Sequence, residues 1–387
     1  MVKISIIIPV YNTVSYLKES LDSVLKQSFT DIEMICVNDG STDNSLEMLE
    51  SYQSNDDRIT IISQENKGLS AARNAAMKKA TGEYVLFLDS DDYLEDESLI
   101  ELYELATSKS LDMILFKIIN FDNITYEKST YPYFEMKFLN NMVEGDVFNW
   151  KHVKSRLFDI SVTAPGKLFK RSLISNIEFP EGLIFEDNLF FIKTIFNADR
   201  VYFHDKYMYN RRLRDDSITN SYFDHYSDCI DIYDMITNYI KSIGKFNEFS
   251  TQIFDRKCRD VYHRFSLVEE SYKEDFFNKI TESFSGDSTF VSSQQKLYDE
   301  RSLHIYKSAL NSETYREFEL SVLVFDLKRA NGKLKLDNDM LERKYKNQFS
   351  QLSDETESYK TEIDDLKNST SWKITKPLRN IIGFFKR

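Results

Sequence analysis

The chain has 387 residues, 41% hydrophobic and 14% aromatic, with 29 Phe and 23 Tyr against five Pro and ten Gly. This excludes a disordered polymer and allows two domains, or one domain and an extension. A formal charge of −13 argues against a nucleic-acid partner, which would need a basic face.

The first run, Ile4–Val10, is apolar for only seven residues and reads as a buried strand, too short for a signal peptide or a membrane span. No other window approaches the length of a span, so the catalytic or binding part is expected in the cytoplasm. Cys36, Cys229 and Cys258 have neither disulfide nor metal-ligand spacing and read as buried thiols in a reducing compartment. Residues 15–27 follow as a helix, with Leu17, Leu21, Val24 and Leu25 on one face. Strands are expected at 32–37, 58–63, 84–88 and 111–116, and helices at 43–53, 68–80 and 96–107. Apolar strands alternating with amphipathic helices imply an α/β fold: a mostly parallel central sheet with helices on both faces. Ligands collect at the carboxyl ends of such strands. Those ends carry PVYN (9–12), NDGSTD (38–43), NKG (66–68) and DSDD (89–92), four polar clusters that would meet at one crevice.

Residues 117–220 are mixed, and 222–330 are helical and rich in Phe and Tyr. Residues 333–367 are highly charged and contain no Gly or Pro. Tyr345, Leu352, Tyr359 and Leu366 recur every seven residues, with Phe349 and Ile363 four after two of them. This is a long solvated helix or a short coiled coil, whose second seam position is often polar. The stretch 372–387 has five basic and no acidic side chains among Trp372, Ile374, Leu378, Ile381, Ile382, Phe384 and Phe385. It suits an anionic membrane surface, or a docking helix, and is too short and charged to span.

Three carboxylates in DSDD oppose one another's ionisation, so a cation is expected among them. Two or more of these carboxylates could hold a divalent ion that neutralises a diphosphate. Alternatively, Asp91 or Asp92 could cap the next helix, with Asp96 and Glu97 in its first turn. Asp39 sits at a strand end, where it could accept from a base or ribose, or simply belong to a turn. Neither G-x-G-x-x-G nor G-x-x-x-x-G-K-[ST] is present, so a dinucleotide site and a P-loop are not indicated.

Taken together, PVYN, VNDGSTDNS (37–45), NKGLSAARNAA (66–76), ATGEYVLFLDSDD (80–92) and FED (185–187) resemble family 2 glycosyltransferases of the GT-A fold, over about the first 220 residues. KLFKRSLI (167–174), YNRR…DDSIT (209–219) and STSWKITKPLR (369–379) resemble bacterial surface-polysaccharide members. The resemblance implies that Asp39 contacts the base while Pro9, Tyr11 and Asn12 line the nucleotide. It places Asn66, Gly68 and Arg73 near the diphosphate and donor sugar. Asp89 would lie beside the ribose or metal, and Asp91 would bind Mn2+ or Mg2+. Asp187 would be the general base, with Glu186 on the acceptor side. Arg211 and Arg212, with Arg214, could form a mobile basic loop over the diphosphate, or a solvated charge cluster.

The chemistry agrees with that family. Transfer from a nucleoside-diphosphate sugar needs charge relief on the departing diphosphate and one base for the acceptor hydroxyl. In-line attack inverts the anomeric centre and requires one base rather than a hydrolase's two flanking carboxylates. We therefore expect an inverting, metal-dependent hexosyl- or N-acetylhexosaminyl-transferase, with UDP as the leading nucleotide, acting on a cell-surface glycan or lipid-linked acceptor. The alternatives are a nucleotidyltransferase and an inactive glycan-binding scaffold. The domains are read as 1–220 (nucleotide-sugar half 1–116, acceptor half 117–220), a helical domain 221–330, a long helix or coiled coil 331–368 and the basic tail 369–387. A homo-oligomer through 221–368 and peripheral membrane attachment through 369–387 complete the expectations.

Overall fold

Ile4, Ile6 and Ile8 point into one apolar cluster and Ile7 into another, so the first strand is covered on both faces. That is why it reads as a continuous apolar run rather than an alternating one. The computed structural model describes residues 2–214, 223–287, 291 and 298–375. The chain divides into two compact units, Met1–Glu319 and Leu320–Arg387.

In the first unit the chain runs β1 (Ile4–Val10), α1 (Val14–Leu25), β2 (Ile32–Asp39), α2 (Ser45–Gln53), β3 (Ile59–Gln64), α3 (Leu69–Met77) and β4 (Tyr84–Phe87). It continues through β5 (Tyr93–Leu94), α4 (Ser98–Ser108), β6 (Met113–Asp122) and β7 (Lys128–Ser129). Then come α5 (Pro132–Glu135), α6 (Phe138–Val143), β8 (Lys167–Lys170), α7 (Arg171–Ile174), α8 (Glu186–Asn197) and β9 (Val201–Leu213). The helices α9 (Asp228–Ser242), α10 (Phe246–Leu267), α11 (Glu270–Gly286) and α12 (Glu300–Asn311) follow.

The sheet order is β3-β2-β1-β4-β8-β6-β9-β5, with β7 against β6. Strands β1 to β4 are parallel, as are β6 and β9, but β8 runs antiparallel to both β4 and β6. The sheet is therefore mixed, more so than the strand–helix alternation suggested. The chain leaves the carboxyl end of β6 and returns through residues 123–166 at that same end, so β8 must run backwards. One face packs against α1 and α4, through Leu17, Leu21, Leu99 and Leu102. The other packs against α3, α8 and α9, through Ala72, Phe190, Phe191 and Ile236. The helical region continues the fold: Ile232, Tyr233, Ile240 and Phe249 share a core cluster with Ile192 and Ile195 of α8.

The second unit contains α13 (Tyr315–Asn368) from Leu320 onward, and the short α14 (Thr370–Ile374). Ser369 caps α14 by accepting from the Trp372 N–H at 3.2 Å. No helix among the described residues is long and apolar enough to cross a membrane. Residues 376–387, most of the basic tail, lie outside the described residues.

Candidate active site

The four polar strand ends meet. Asn12 at the end of β1 adopts φ 52°, and its Oδ1 accepts from the Thr42 N–H at 2.7 Å and the Asp43 N–H at 3.3 Å. Thr13 donates to Ser90 at 2.9 Å, tying the first cluster to DSDD. Gly40 has φ +73°, and a Cβ there would meet Asn66 N at 2.7 Å, so only glycine lets the two loops close up. Asp39, 3% exposed, accepts from Gln64 Nε2 at 2.7 Å, Lys67 N at 2.9 Å and Gly68 N at 2.8 Å. It thereby fixes the entry to α3, and a nucleotide reading this carboxylate would share it with those donors. Pro9 is buried in β1, whereas Tyr11 is 41% exposed at its mouth. Asn66 Oδ1 accepts from the Gly68 N–H at 3.2 Å.

Arg73 on α3 is 1% exposed and joins the two acidic motifs. Its Nη2 donates to Asp89 Oδ1 at 3.0 Å, and its Nη1 to Glu186 Oε1 at 2.9 Å and Asp187 Oδ1 at 2.8 Å. Phe179 lies under the guanidinium at 5.3 Å. Both Nη atoms are spent on the protein's own carboxylates, while the buried Nε has no hydrogen-bond partner, so the side chain braces the DSDD end of the crevice against the FED turn. Asp187 Oδ2 accepts from the Ala164 N–H at 3.0 Å, so both oxygens are oriented. The helix carrying them starts after Phe185, held at φ 67°. A bulky residue in the left-handed region marks strain of the kind found at functional sites. Burial pushes the Glu186 carboxyl up to about 7; Asp187 adds to this and Arg73 opposes it.

DSDD does not cap the following helix. α4 begins at Ser98, with Glu97 at its N-cap, so Asp96 and Glu97 precede the helix. Asp92, 5% exposed, instead accepts from Tyr209 Oη at 2.7 Å and the Arg212 N–H at 2.8 Å. Tyr209 Oη in turn accepts from the Asp89 N–H at 3.1 Å. Asp91 faces Arg214, whose Nε donates to Oδ2 at 2.8 Å. Burial and then Asp89 hold the Asp91 carboxyl above the usual range, with Arg214 offsetting part of this.

Arg211 and Arg212 are strand residues of β9 rather than parts of a mobile loop. Arg212 is locked: it donates to the Asp91 carbonyl at 2.8 Å and Asn123 Oδ1 at 2.9 Å, and pairs with Glu19. Every arm of its guanidinium is engaged by the protein, so it cannot close over a diphosphate without dismantling that wall. Arg211 lies over the Phe134 ring at 5.6 Å. The SIT turn (217–219) lies outside the described residues. His204 pairs with Glu101 at 3.0 Å, and Trp150 packs on Phe196 and Phe249.

Among the described residues, no three acidic, His or Cys side chains are grouped to hold a metal by themselves. Asp89 and Asp91 nevertheless fit a hard divalent ion, since such ions take one or two carboxylates and complete their shell with phosphate oxygens and water. The burial-stressed Asp91 carboxylate is the observation that favours a cation there.

The sequence reading missed two partners. Lys167 on β8 is fully buried, donates to the Thr163 carbonyl and lies 5.2 Å from the Phe191 ring; burial pulls its amine down to about 7, with Asp187 opposing. It thereby holds the 163–164 turn whose N–H orients Asp187. The available signal was a lysine in phase with inward-facing Phe169. Tyr209, the bridge between Asp89 and Asp92, had no signal beyond its motif.

Residues 5–158 match the family model described as Glycosyl transferase family 2. The chain is 33% identical over 221 residues to Glycosyltransferase GlyA of Streptococcus pneumoniae serotype 4, covering 56% of this chain and 31% of that protein. It is 31% identical over 230 residues to Glycosyltransferase GlyG of the same organism, covering 57% of this chain and 74% of that protein. The solved structure of Staphylococcus aureus TarS 1–349 in complex with UDP-GlcNAc superposes with a TM-score of 0.67 at 23% identity, covering 84% of this chain and 92% of that one. That likeness shows the GT-A architecture.

Proposed function

Since the chain belongs to glycosyl transferase family 2 and is a glycosyltransferase that takes its sugar from a nucleotide sugar, we propose that it is an inverting, metal-dependent hexosyl- or N-acetylhexosaminyl-transferase acting at a cell-surface glycan or lipid-linked saccharide. UDP is the leading nucleotide, supported by the UDP-GlcNAc bound to TarS. The observation that carries the reading is the buried guanidinium of Arg73, which joins Asp89 of the D-x-D motif (Asp89-Ser90-Asp91) to Asp187.

Asp187 is the base. A carboxylate has about four lone-pair positions; Arg73 and Ala164 engage one on each oxygen, leaving others for an acceptor hydroxyl. As the acceptor oxygen bonds to the anomeric carbon, its proton passes to Asp187. The bond from that carbon to the diphosphate oxygen breaks, and its electron pair leaves with the nucleoside diphosphate. Attack opposite the leaving group inverts the centre. Asp91 and Asp89 would hold Mn2+ or Mg2+, which when bound supplies charge neutralisation for the departing diphosphate. Arg214, already directed at Asp91, supplies a protein cation at the same place. Asp39, Asn12 and Tyr11 line the nucleotide side, and Glu186 keeps Arg73 in position beneath the base. The tail 369–387 serves attachment to an anionic membrane surface, and the chain works at the cytoplasmic side.

The test is release of free nucleotide from UDP-, dTDP- and GDP-sugars with Mn2+, Mg2+ or EDTA. Slow hydrolysis of one donor, abolished by EDTA and by Asp91→Ala, is the expected result. Turnover indifferent to EDTA would overturn the D-x-D assignment.

A further inference from the structure

The second unit presents an apolar stripe along α13. Tyr345, Phe349, Leu352, Tyr359, Ile363 and Leu366 are between 49% and 77% exposed. Their spacing alternates four and three residues once Thr356 is included, giving a 3.5-residue repeat over three heptads. A straight helix cannot keep such a seam on one partner without supercoiling, so the repeat specifies a coiled coil. With Tyr345, Leu352, Tyr359 and Leu366 at d and Phe349, Thr356 and Ile363 at a, Glu355 and Glu362 fall at g. Lys360 and Lys367 fall at e.

These charges choose the partner and its direction. In a parallel, in-register pair each g residue faces the e residue five positions further on in the other helix, so Glu355 meets Lys360 and Glu362 meets Lys367, twice over by symmetry. An antiparallel pair would oppose Glu to Glu and Lys to Lys. Upstream, Leu320, Leu327, Leu334 and Leu341 recur every seven residues and are 48% to 61% exposed. Asn331 and Asn338 fall between them at a, where asparagine fixes register in two-stranded coils. Tyr345 lies four residues after Leu341 and Phe349 four after Tyr345, so the upper and lower seams are joined through a four-residue stutter at Tyr345. In a parallel, in-register pair this step falls at the same height in both helices, whereas antiparallel pairing along 345–367 would leave the two steps at opposite ends. The like-charged Asp337 and Glu342 also face one another in that arrangement, a smaller opposing contribution in the upper seam.

We propose that a second copy of this chain docks along residues 345–367 as a parallel, in-register, two-stranded coiled coil, making the transferase a dimer. Sedimentation of the full chain over a micromolar concentration series should show a dimer. Glu355→Lys with Glu362→Lys should raise its dissociation constant on the order of tenfold or more. Adding Lys360→Glu and Lys367→Glu to the same chain should restore it. Circular dichroism and thermal unfolding of each variant verify that the chain is folded. Tyr345→Cys alone should oxidise to a linked dimer, readable because the native cysteines are buried. A monomer throughout the series overturns the proposal, as does a dimer unaffected by charge reversal or by Ile363→Asp. Cross-linking only in mixtures of Tyr345→Cys with Leu366→Cys chains would overturn the parallel orientation.

Discussion

Arg73 donates to Asp187 at 2.8 Å across 114 residues of sequence, from within a site where the arginine is 1% exposed. The contact ties the helix after β3 to the first turn of α8, and through Asp89 it includes the end of β4. Position of the base and position of the D-x-D are therefore one structural quantity. Replacing Arg73 by Met would strand three carboxylates, two of them largely buried, and should destabilise the protein by about 3–5 kcal/mol in urea unfolding. Arg73→Lys keeps the charge without the fork; it should remain folded but lose on the order of 100-fold in turnover.

Glu186 gives the site a pH signature. Its folded pKa, raised to about 7 by burial and then by Asp187, lies above the ordinary carboxylate value. Between those two values the unfolded chain has lost the proton that the folded chain still holds. Stability therefore falls as pH rises through that window and levels off above about 7. Glu186→Gln should remove this slope, so that wild type loses roughly 2–4 °C more in Tm than the variant between pH 5 and 7.5. Parallel Tm–pH curves would contradict the assignment.

Tyr209 holds Asp92 and the Asp89 backbone together. Tyr209→Phe leaves a buried carboxylate short of a donor and should cost about 1–3 kcal/mol of stability. It should also weaken Mn2+-dependent nucleotide binding, because Asp91 sits in the loop it shapes. Calorimetric titration with UDP, with and without Mn2+, measures the effect.

Asp91→Ala removes the carboxylate proposed to hold the ion and releases Arg214 from its partner. UDP binding should then become insensitive to Mn2+, while unfolding in urea changes little, since a burial-stressed carboxylate contributes little to the fold. Retained enhancement by Mn2+ would move the metal site elsewhere.

The alternating strands and helices of the first 116 residues were legible because apolar runs and amphipathic stretches dictate them directly. Ile4–Val10 and Tyr84–Phe87 emerge close to their predicted bounds. The reversed β8 was not legible: whether KLFK runs with or against its neighbours depends on where the chain from β6 returns, which no local pattern encodes. The acidic motifs were readable from residue type at strand ends, but their pairing was not. Arg73 looked like a donor-side cation because its distance in sequence from Asp187 hides a shared hydrogen bond. Arg212 looked mobile because two adjacent arginines resemble a basic loop, whereas Glu19, Asn123 and the aromatic rings of Tyr16 and Phe121 fix it in the wall.

The most direct test of the account is Asp187→Asn, assayed with the donor that the nucleotide-release panel identifies. The account predicts turnover lowered by about a thousandfold or more at saturating acceptor, with donor affinity unchanged within a factor of about three. Turnover near the wild-type level would contradict it, because the proton of the acceptor hydroxyl would then have another destination.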